Sequence, residues 1–264
     1  MNSKQLQNKA RWVRLEVLDS IVKSGKSHIG GTYSCTDLLV ALYYGKLLRK
    51  HDRFILSKGH ACTALYAIFL DLGMMSRKSY DSYGKDGGLG GQLETYMHGV
   101  DFNTGSMGHA IGVALGMALT ARMDRKNFRA VTIIGDAELF EGSCWEAIIF
   151  AGQLALENLV VIVDRNRLSV TDVIEDDSVY KEFKKKIESF GWRHENINGH
   201  DFRDIEQVFR RIDKAKKPTM IVADTIKGKG VSFMENNVAW HNALPSHDQI
   251  DAARKELTKN YGHS

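Results

Sequence analysis

The sequence predicts an α/β fold, a parallel β-sheet flanked by helices on both faces, and three observations predict it. Four short runs, FILS (54–57), AVTIIGD (130–136), LVVIVD (159–164) and TMIVADT (219–225), are rich in β-branched residues and apolar on both faces. That is the composition of strands buried in a parallel sheet. Helical patterns fill the spaces around them, at 5–24, 36–48, 60–72, 106–122, 141–156, 178–190 and 202–215. Strand–helix–strand alternation dictates right-handed crossovers and a sheet covered on both sides. Finally, the chain has 2 prolines, no Pro/Ser-rich linker and no internal repeat, so residues 1–264 read as a single domain.

Taken in order, each strand run ends in polar residues. FILS runs into Ser57-Lys58-Gly59-His60, where a helical pattern opens. AVTIIGD ends in Gly135-Asp136 and leads to a helix carrying Glu141, Trp145 and Glu146. LVVIVD ends in Asp164-Arg165-Asn166. TMIVADT starts after Pro218 and leads to Lys227, and a short charged helix is expected at 249–258. In open α/β sheets, ligands collect at the carboxyl ends of the strands. The most unusual polar residues of this chain stand there.

Composition excludes several other classes. With 264 residues, 43% hydrophobic and 26% charged, the chain can bury a core without disulfides or a structural metal. The formal charge of +4 is small and spread along the chain, which gives no argument for nucleic acid. Cys35, Cys62 and Cys144 form no CxxC pair, as suits a reducing compartment. The polar start MNSKQLQNKARWVRLEV lacks the apolar stretch of a signal peptide, and no segment offers about 18 apolar residues for a membrane span. A soluble, cytoplasmic protein is the expectation.

Asp136 and Asn166 are 30 residues apart, one strand-to-strand crossover, and are expected at the same edge of neighbouring strands. A carboxylate oxygen plus an amide oxygen suits a hard cation, Mg2+ or Ca2+, whose remaining ligands are water and phosphate oxygens. Taken alone, either residue reads equally well as a helix or turn cap. Gly25-Lys26-Ser27 is not a phosphate loop, because Ser20 stands where GxxxxGK[ST] requires glycine and no strand precedes it. The glycine-rich stretch at 89–92 reads as a loop. His51, His194, His200, His247 and His263 lie in polar, loop-like stretches and receive no role.

Gly135-Asp136, followed at this spacing by Asn166, is similar to the thiamine diphosphate motif. The wider segments LSKGHACTALYA (56–67), FNTGSMGHAIGVALGMA (102–118), GDAELFEGSCWEA (135–147), DRNRLSVTD (164–172) and KPTMIVADTIKGKGVSF (217–233) resemble transketolases in order and spacing. The resemblance extends from about Lys23 to His241. It implies the diphosphate-domain version of the fold, with thiamine diphosphate and Mg2+ or Ca2+ as cofactors. Asp136, the Asn166 side chain and the Leu168 carbonyl are then the metal ligands. Gly105, Ser106 and Met107 match the loop that meets the aminopyrimidine end of the cofactor. Gly135, Ala137 and Glu141 belong to the diphosphate-binding segment, Glu141 tying the cofactor site to a subunit interface. Lys58, His60, Lys227 and His241 match basic residues around diphosphate and substrate. His28, in SHIGG, matches a histidine that contacts sugar hydroxyls and helps move protons, and His28, His60 and His241 are the catalytic candidates.

The resemblance also implies a partner. Transketolases carry a pyrimidine-binding domain for which this chain has no room, so a separate C-terminal pyrimidine-binding subunit is expected, most simply in an α2β2 heterotetramer. Ketose and aldose sugars or their phosphates are the implied substrates. The pattern departs in four places: Ala137 replaces the third residue of GDG, His109 replaces a glutamine, Val170 replaces a polar residue, and the family's GHP histidine has no clear counterpart near His98. These departures imply unusual substrates. Other thiamine diphosphate enzymes (2-oxo-acid dehydrogenase α-subunits, deoxyxylulose phosphate synthases) and a non-catalytic homologue are the alternatives. SHIGG, SKGH and KGKGVSF favour transketolase chemistry over them.

Overall fold

The computed structural model describes residues 1–176, 178–212 and 214–259. Helices α1 (Ser3–Ser24) and α2 (Ile29–Tyr44) precede strand β1 (Arg53–Leu56). Helices α3 (Cys62–Asp71), α4 (Arg77–Tyr80) and α5 (Ala110–Met123) lead to β2 (Ala130–Gly135), α6 (Gly142–Gln153) and β3 (Leu159–Arg165). Then come α7 (Phe183–Ser189), β4 (Arg193–Asn198), α8 (Phe202–Ile212), β5 (Thr219–Asp224) and α9 (His247–Thr258). Among the described residues, five strands lie in the order β1-β2-β3-β5-β4, and every pair is parallel.

Strand residues alternate between two cores, as a period of two demands. Val131, Ile133, Val160, Ile162, Ile221 and Ala223 join the core built with α1, α2, α3, α8 and α9. Ile134, Val161, Val163, Met220 and Val222 face the other core, built with α5, α6 and α7. The expected sheet covered on both faces is thus the observed one. Among the described residues, no helix is long and apolar enough to cross a membrane.

The differences from expectation have physical causes. Strand β4, with the sequence RHENIN, gave no continuous apolar signal because it is an edge strand with one buried residue, Ile197, whereas the other edge, β1, buries three of its four. His194 lies in β4 rather than in a loop. Helix α2 starts at Ile29 rather than at 36, and all its residues except Tyr43 are buried. Burial of that order overrides the poor helix propensity of Gly30 and Gly31. A Cβ on Gly30 would stand 2.6 Å from the Trp240 carbonyl oxygen, so only glycine fits there. Helix α5 starts at Ala110 rather than at 106, because the loop before it holds Gly105 and Gly108 at φ +136° and +83°. Residue 213, within the expected helix 202–215, and His263 lie outside the described residues.

Candidate functional site

The strand ends converge as the topology requires. Ser57 and Lys58 follow β1, Asp136 follows β2, Asp164 and Asn166 stand at the end of β3, and Lys227 follows β5. Apart from the buried Asp164, these residues line a cavity of about 280 Å³ together with the loop before α5 and the start of α2. Its wall includes His28, Lys58, His60, Gly105, Met107, Gly135, Asp136, Asn166, Leu168, Lys227 and His241, all expected from the sequence. Hollows of about 690 and 870 Å³ lie elsewhere and gather no comparable set of groups.

Three expected residues stand outside the cavity lining. Ser106 is exposed. Ala137 packs against the core beneath α5 and α6, and its amide donates to Asp136 Oδ1 at 2.9 Å. Glu141 occupies the N-cap position of α6. His98 is exposed and away from the cavity, whereas Gln92 lines it.

The cationic wall is organised by a residue that the sequence reading gave no role. Asp164, with its side chain 0% exposed, forms an ion pair with Lys58 and accepts hydrogen bonds from Ser34 Oγ (2.6 Å) and Thr225 Oγ1 (2.5 Å). Lys58 Nζ also donates to the Gly31 carbonyl at 2.9 Å and to Ser34 Oγ at 3.2 Å. Burial pulls the Lys58 ammonium down, but Asp164 outweighs it and leaves the group above its ordinary value. Lys227, 1% exposed, donates to the Ser169 carbonyl at 2.7 Å and the Leu168 carbonyl at 3.4 Å. Burial and then repulsion from Lys58 bring its ammonium down to about 8.

Asp136 is 2% exposed and makes no ion pair among the described residues. Its oxygens accept from the amides of Ala137 and Arg167, the latter at 2.6 Å. Burial and the neighbouring Asp164 raise it to about 6, against those amides and Lys58. Asn166 Oδ1 accepts from the Leu168 amide at 3.1 Å. Asn166 thus also fills the turn-capping role that was its rival reading, whereas Asp136 accepts from its own following amide and from Arg167 and caps no helix.

The three catalytic candidates form one cluster. Ring centroids are 5.3 Å apart for His28–His60, 5.6 Å for His28–His241 and 5.8 Å for His60–His241. Burial lowers all three, with Lys58 adding to the effect on His60 and Lys227 bringing His241 to about 4. At neutral pH the cluster is uncharged. His241 Nδ1 lies 3.1 Å from Lys227 Nζ, a donor, so the imidazole proton sits on Nε2.

Glu138 was also missed. Its Oε2 accepts from Ser57 Oγ at 2.5 Å and from the Gly108 amide at 3.2 Å, and its Oε1 accepts from the Gly135 amide at 2.9 Å. One buried carboxylate therefore ties together the loops after β1 and β2 and the loop before α5. An acidic residue three positions after a glycine at a strand end was the available signal, of the kind a capping box gives.

Residues 5–263 match the family described as transketolase, thiamine diphosphate binding domain. The chain is 37% identical over 257 residues to one of the subunits of apulose-4-phosphate transketolase from Phocaeicola vulgatus, covering 93% of this chain and 91% of that one. It is 35% identical to 6-deoxy-6-sulfo-D-fructose transketolase subunit SqwG of a Clostridium species, covering 96% of each. Human transketolase is 32% identical, and the match covers 89% of this chain but 39% of that protein. The transketolase structure from Campylobacter jejuni superposes with a TM-score of 0.89 at 27% identity, over 97% of this chain and 43% of that one. The chain therefore belongs to the transketolase family, as a thiamine diphosphate-binding domain.

Proposed function

We propose that this chain is the diphosphate-binding half of a two-component enzyme that moves a two-carbon ketol unit from a ketose, or ketose phosphate, to an aldose-type acceptor. A separate pyrimidine-binding subunit supplies the other wall of the site, most simply in an α2β2 assembly. The observation that carries this reading is the convergence of three imidazoles, two buried lysines, Asp136 and Asn166 on one cavity. Relatives of this chain's own length that are named as transketolase subunits support the two-component arrangement. The three cysteines are all free and buried, which supports a cytoplasmic location.

The residues present fit a divalent cation. Asp136 is a buried carboxylate without an ion-pair partner among the described residues, and Asn166 Oδ1 lies on a neighbouring strand end in the same cavity. No group of three or more His, Cys, Asp or Glu among the described residues can hold a metal on its own. The remaining positions would fall to the Leu168 carbonyl and to phosphate oxygens, a common arrangement for Mg2+. Lys58 and Lys227 would stabilise the diphosphate charge. Thiamine diphosphate, when bound, supplies the carbon nucleophile and the electron sink.

This chain's own groups would orient the sugar. His241 offers an Nε2–H to a hydroxyl or carbonyl oxygen, since its Nδ1 is taken up by Lys227. His28 and His60, neutral and packed against it, can accept or relay a hydroxyl proton. Neutral imidazoles do this without adding charge beside two ammonium groups. The names of these two relatives point to donors such as apulose 4-phosphate or 6-deoxy-6-sulfo-fructose rather than the common pentose phosphates.

Assay of the assembled pair with apulose 4-phosphate, 6-deoxy-6-sulfo-fructose and xylulose 5-phosphate as donors tests the reading. One of the first two should turn over fastest. Ordinary turnover of xylulose 5-phosphate with ribose 5-phosphate would contradict the specialised role. Absence of ketol transfer from every donor would contradict the reaction itself.

A further inference from the structure

His200 lies outside the cavity and reads in the sequence as a loop residue, yet both its ring nitrogens are engaged. Nδ1 is 2.6 Å from Asp37 Oδ2, and Nε2 accepts the backbone N–H of Ile226 at 2.9 Å. Asp37 is held in turn by Arg14, at 2.7 Å and 3.2 Å, and Arg14 also donates to the Tyr33 carbonyl at 2.9 Å. The side chains of Arg14, Asp37 and His200 are 5%, 7% and 12% exposed.

These contacts fix the tautomer. An amide N–H can donate to Nε2 only when that nitrogen carries no proton, so the ring proton sits on Nδ1 and is donated to Asp37. The imidazole is thus a one-way connector from the α1–α2 ion pair to residue 226. Ile226 immediately precedes Lys227, whose ammonium lies in the cavity. The surrounding backbone is pinned on either side, with Thr225 Oγ1 on Asp164 and the Gly228 amide on the Gly30 carbonyl at 3.0 Å. Between them the Asn236 amide holds the Lys227 carbonyl at 3.0 Å, and His200 holds the Ile226 amide.

We propose that His200 is a positioning residue: through its Nδ1–H tautomer it anchors the Ile226 amide to Asp37 and so sets the place of the Lys227 ammonium. Its value for function rests on the reading of the cavity as a diphosphate site, whereas the anchoring itself does not.

The test uses the full chain. Nitrogen-15 imidazole spectra of the unsubstituted protein at neutral pH should show His200 protonated on Nδ1 and bare on Nε2. In His200→Ala, amide exchange at Ile226 should be at least tenfold faster, while β3 is unchanged. Val208→Ala, a core truncation in α8, should leave that amide protected. His200→Gln, whose amide can donate and accept, should restore part of the protection. With the partner present, His200→Ala should weaken thiamine diphosphate–Mg2+ binding about tenfold, and Val208→Ala should not. A proton on Nε2 in the unsubstituted protein, or equal exchange in the His200→Ala and Val208→Ala variants, would overturn the proposal. If the unsubstituted complex did not bind thiamine diphosphate at all, the cofactor reading would fall, and the spectra and exchange rates would still decide the anchoring.

Discussion

Lys58 and Asp164 form an ion pair sealed from solvent, with side-chain exposures of 4% and 0%. A pair buried this deeply is costly to break from one side, because the remaining charge keeps only neutral hydrogen-bond partners. Lys58→Met and Asp164→Leu should each lower the unfolding free energy by about 3–5 kcal/mol in urea titrations. The double substitution should recover most of that loss while abolishing cofactor binding. Single variants with unchanged midpoints would show that the pair is not holding the strand ends together.

Glu138 tests whether the loops need a common anchor. Glu138→Ala removes the acceptor shared by Ser57, Gly108 and Gly135. Hydrogen bonds to a charged acceptor contribute about 1.5–3 kcal/mol each, so cofactor affinity of the assembled enzyme should fall at least tenfold. A titration showing unchanged affinity would mean that the loops hold their shape unaided.

Asp37 gives the expected response to acid. Burial pushes its carboxyl up, but Arg14 and His200 outweigh that and hold it at about 2, below the ordinary 3.8. A depressed carboxylate contributes stability that is complete above the unfolded value and disappears as the pH falls through the folded one. The contribution, about 2 kcal/mol at neutral pH, should therefore be lost between about pH 4 and pH 2. In Asp37→Asn, denaturation midpoints should be lower at pH 7 and their slope across that window flatter. An identical slope would assign the acid response to other carboxylates.

Ala137 offers a simple check on a departure from the family pattern. Its methyl packs on the core rather than lining the cavity. Ala137→Gly should cost about 1 kcal/mol of stability through lost packing and greater backbone freedom. Cofactor affinity should stay within about twofold, since a twofold change is under half a kcal/mol. A clear gain in affinity would place that methyl against the diphosphate instead.

Much of this was legible in the sequence because both signals were local. Buried strands such as LVVIVD announce themselves by composition, and the residues that follow them fall at the ligand-binding edge by topology alone. Strand β4 was illegible because it buries only Ile197, leaving no apolar run for composition to show. Asp164 and Glu138 were missed for another reason, since Lys58 and Ser57 lie 106 and 81 residues away in sequence, and only the Gly135–Glu138 contact left a local signal. His200 joins them: its neighbours along the chain, Gly199 and Asp201, give no hint of Asp37 or Ile226. Ala137 shows the converse, a position marked by a motif whose side chain turns to the core.

The central claim is that Asp136 anchors thiamine diphosphate through a divalent ion in a site completed by a second polypeptide. Isothermal titration of thiamine diphosphate with Mg2+ tests it most directly, into this chain alone, into the assembled pair, and into the pair carrying Asp136→Ala. Tight binding by the pair, little by the chain alone and none after the substitution is the expected result. Binding that survives Asp136→Ala, or that is as tight without the partner, would contradict it.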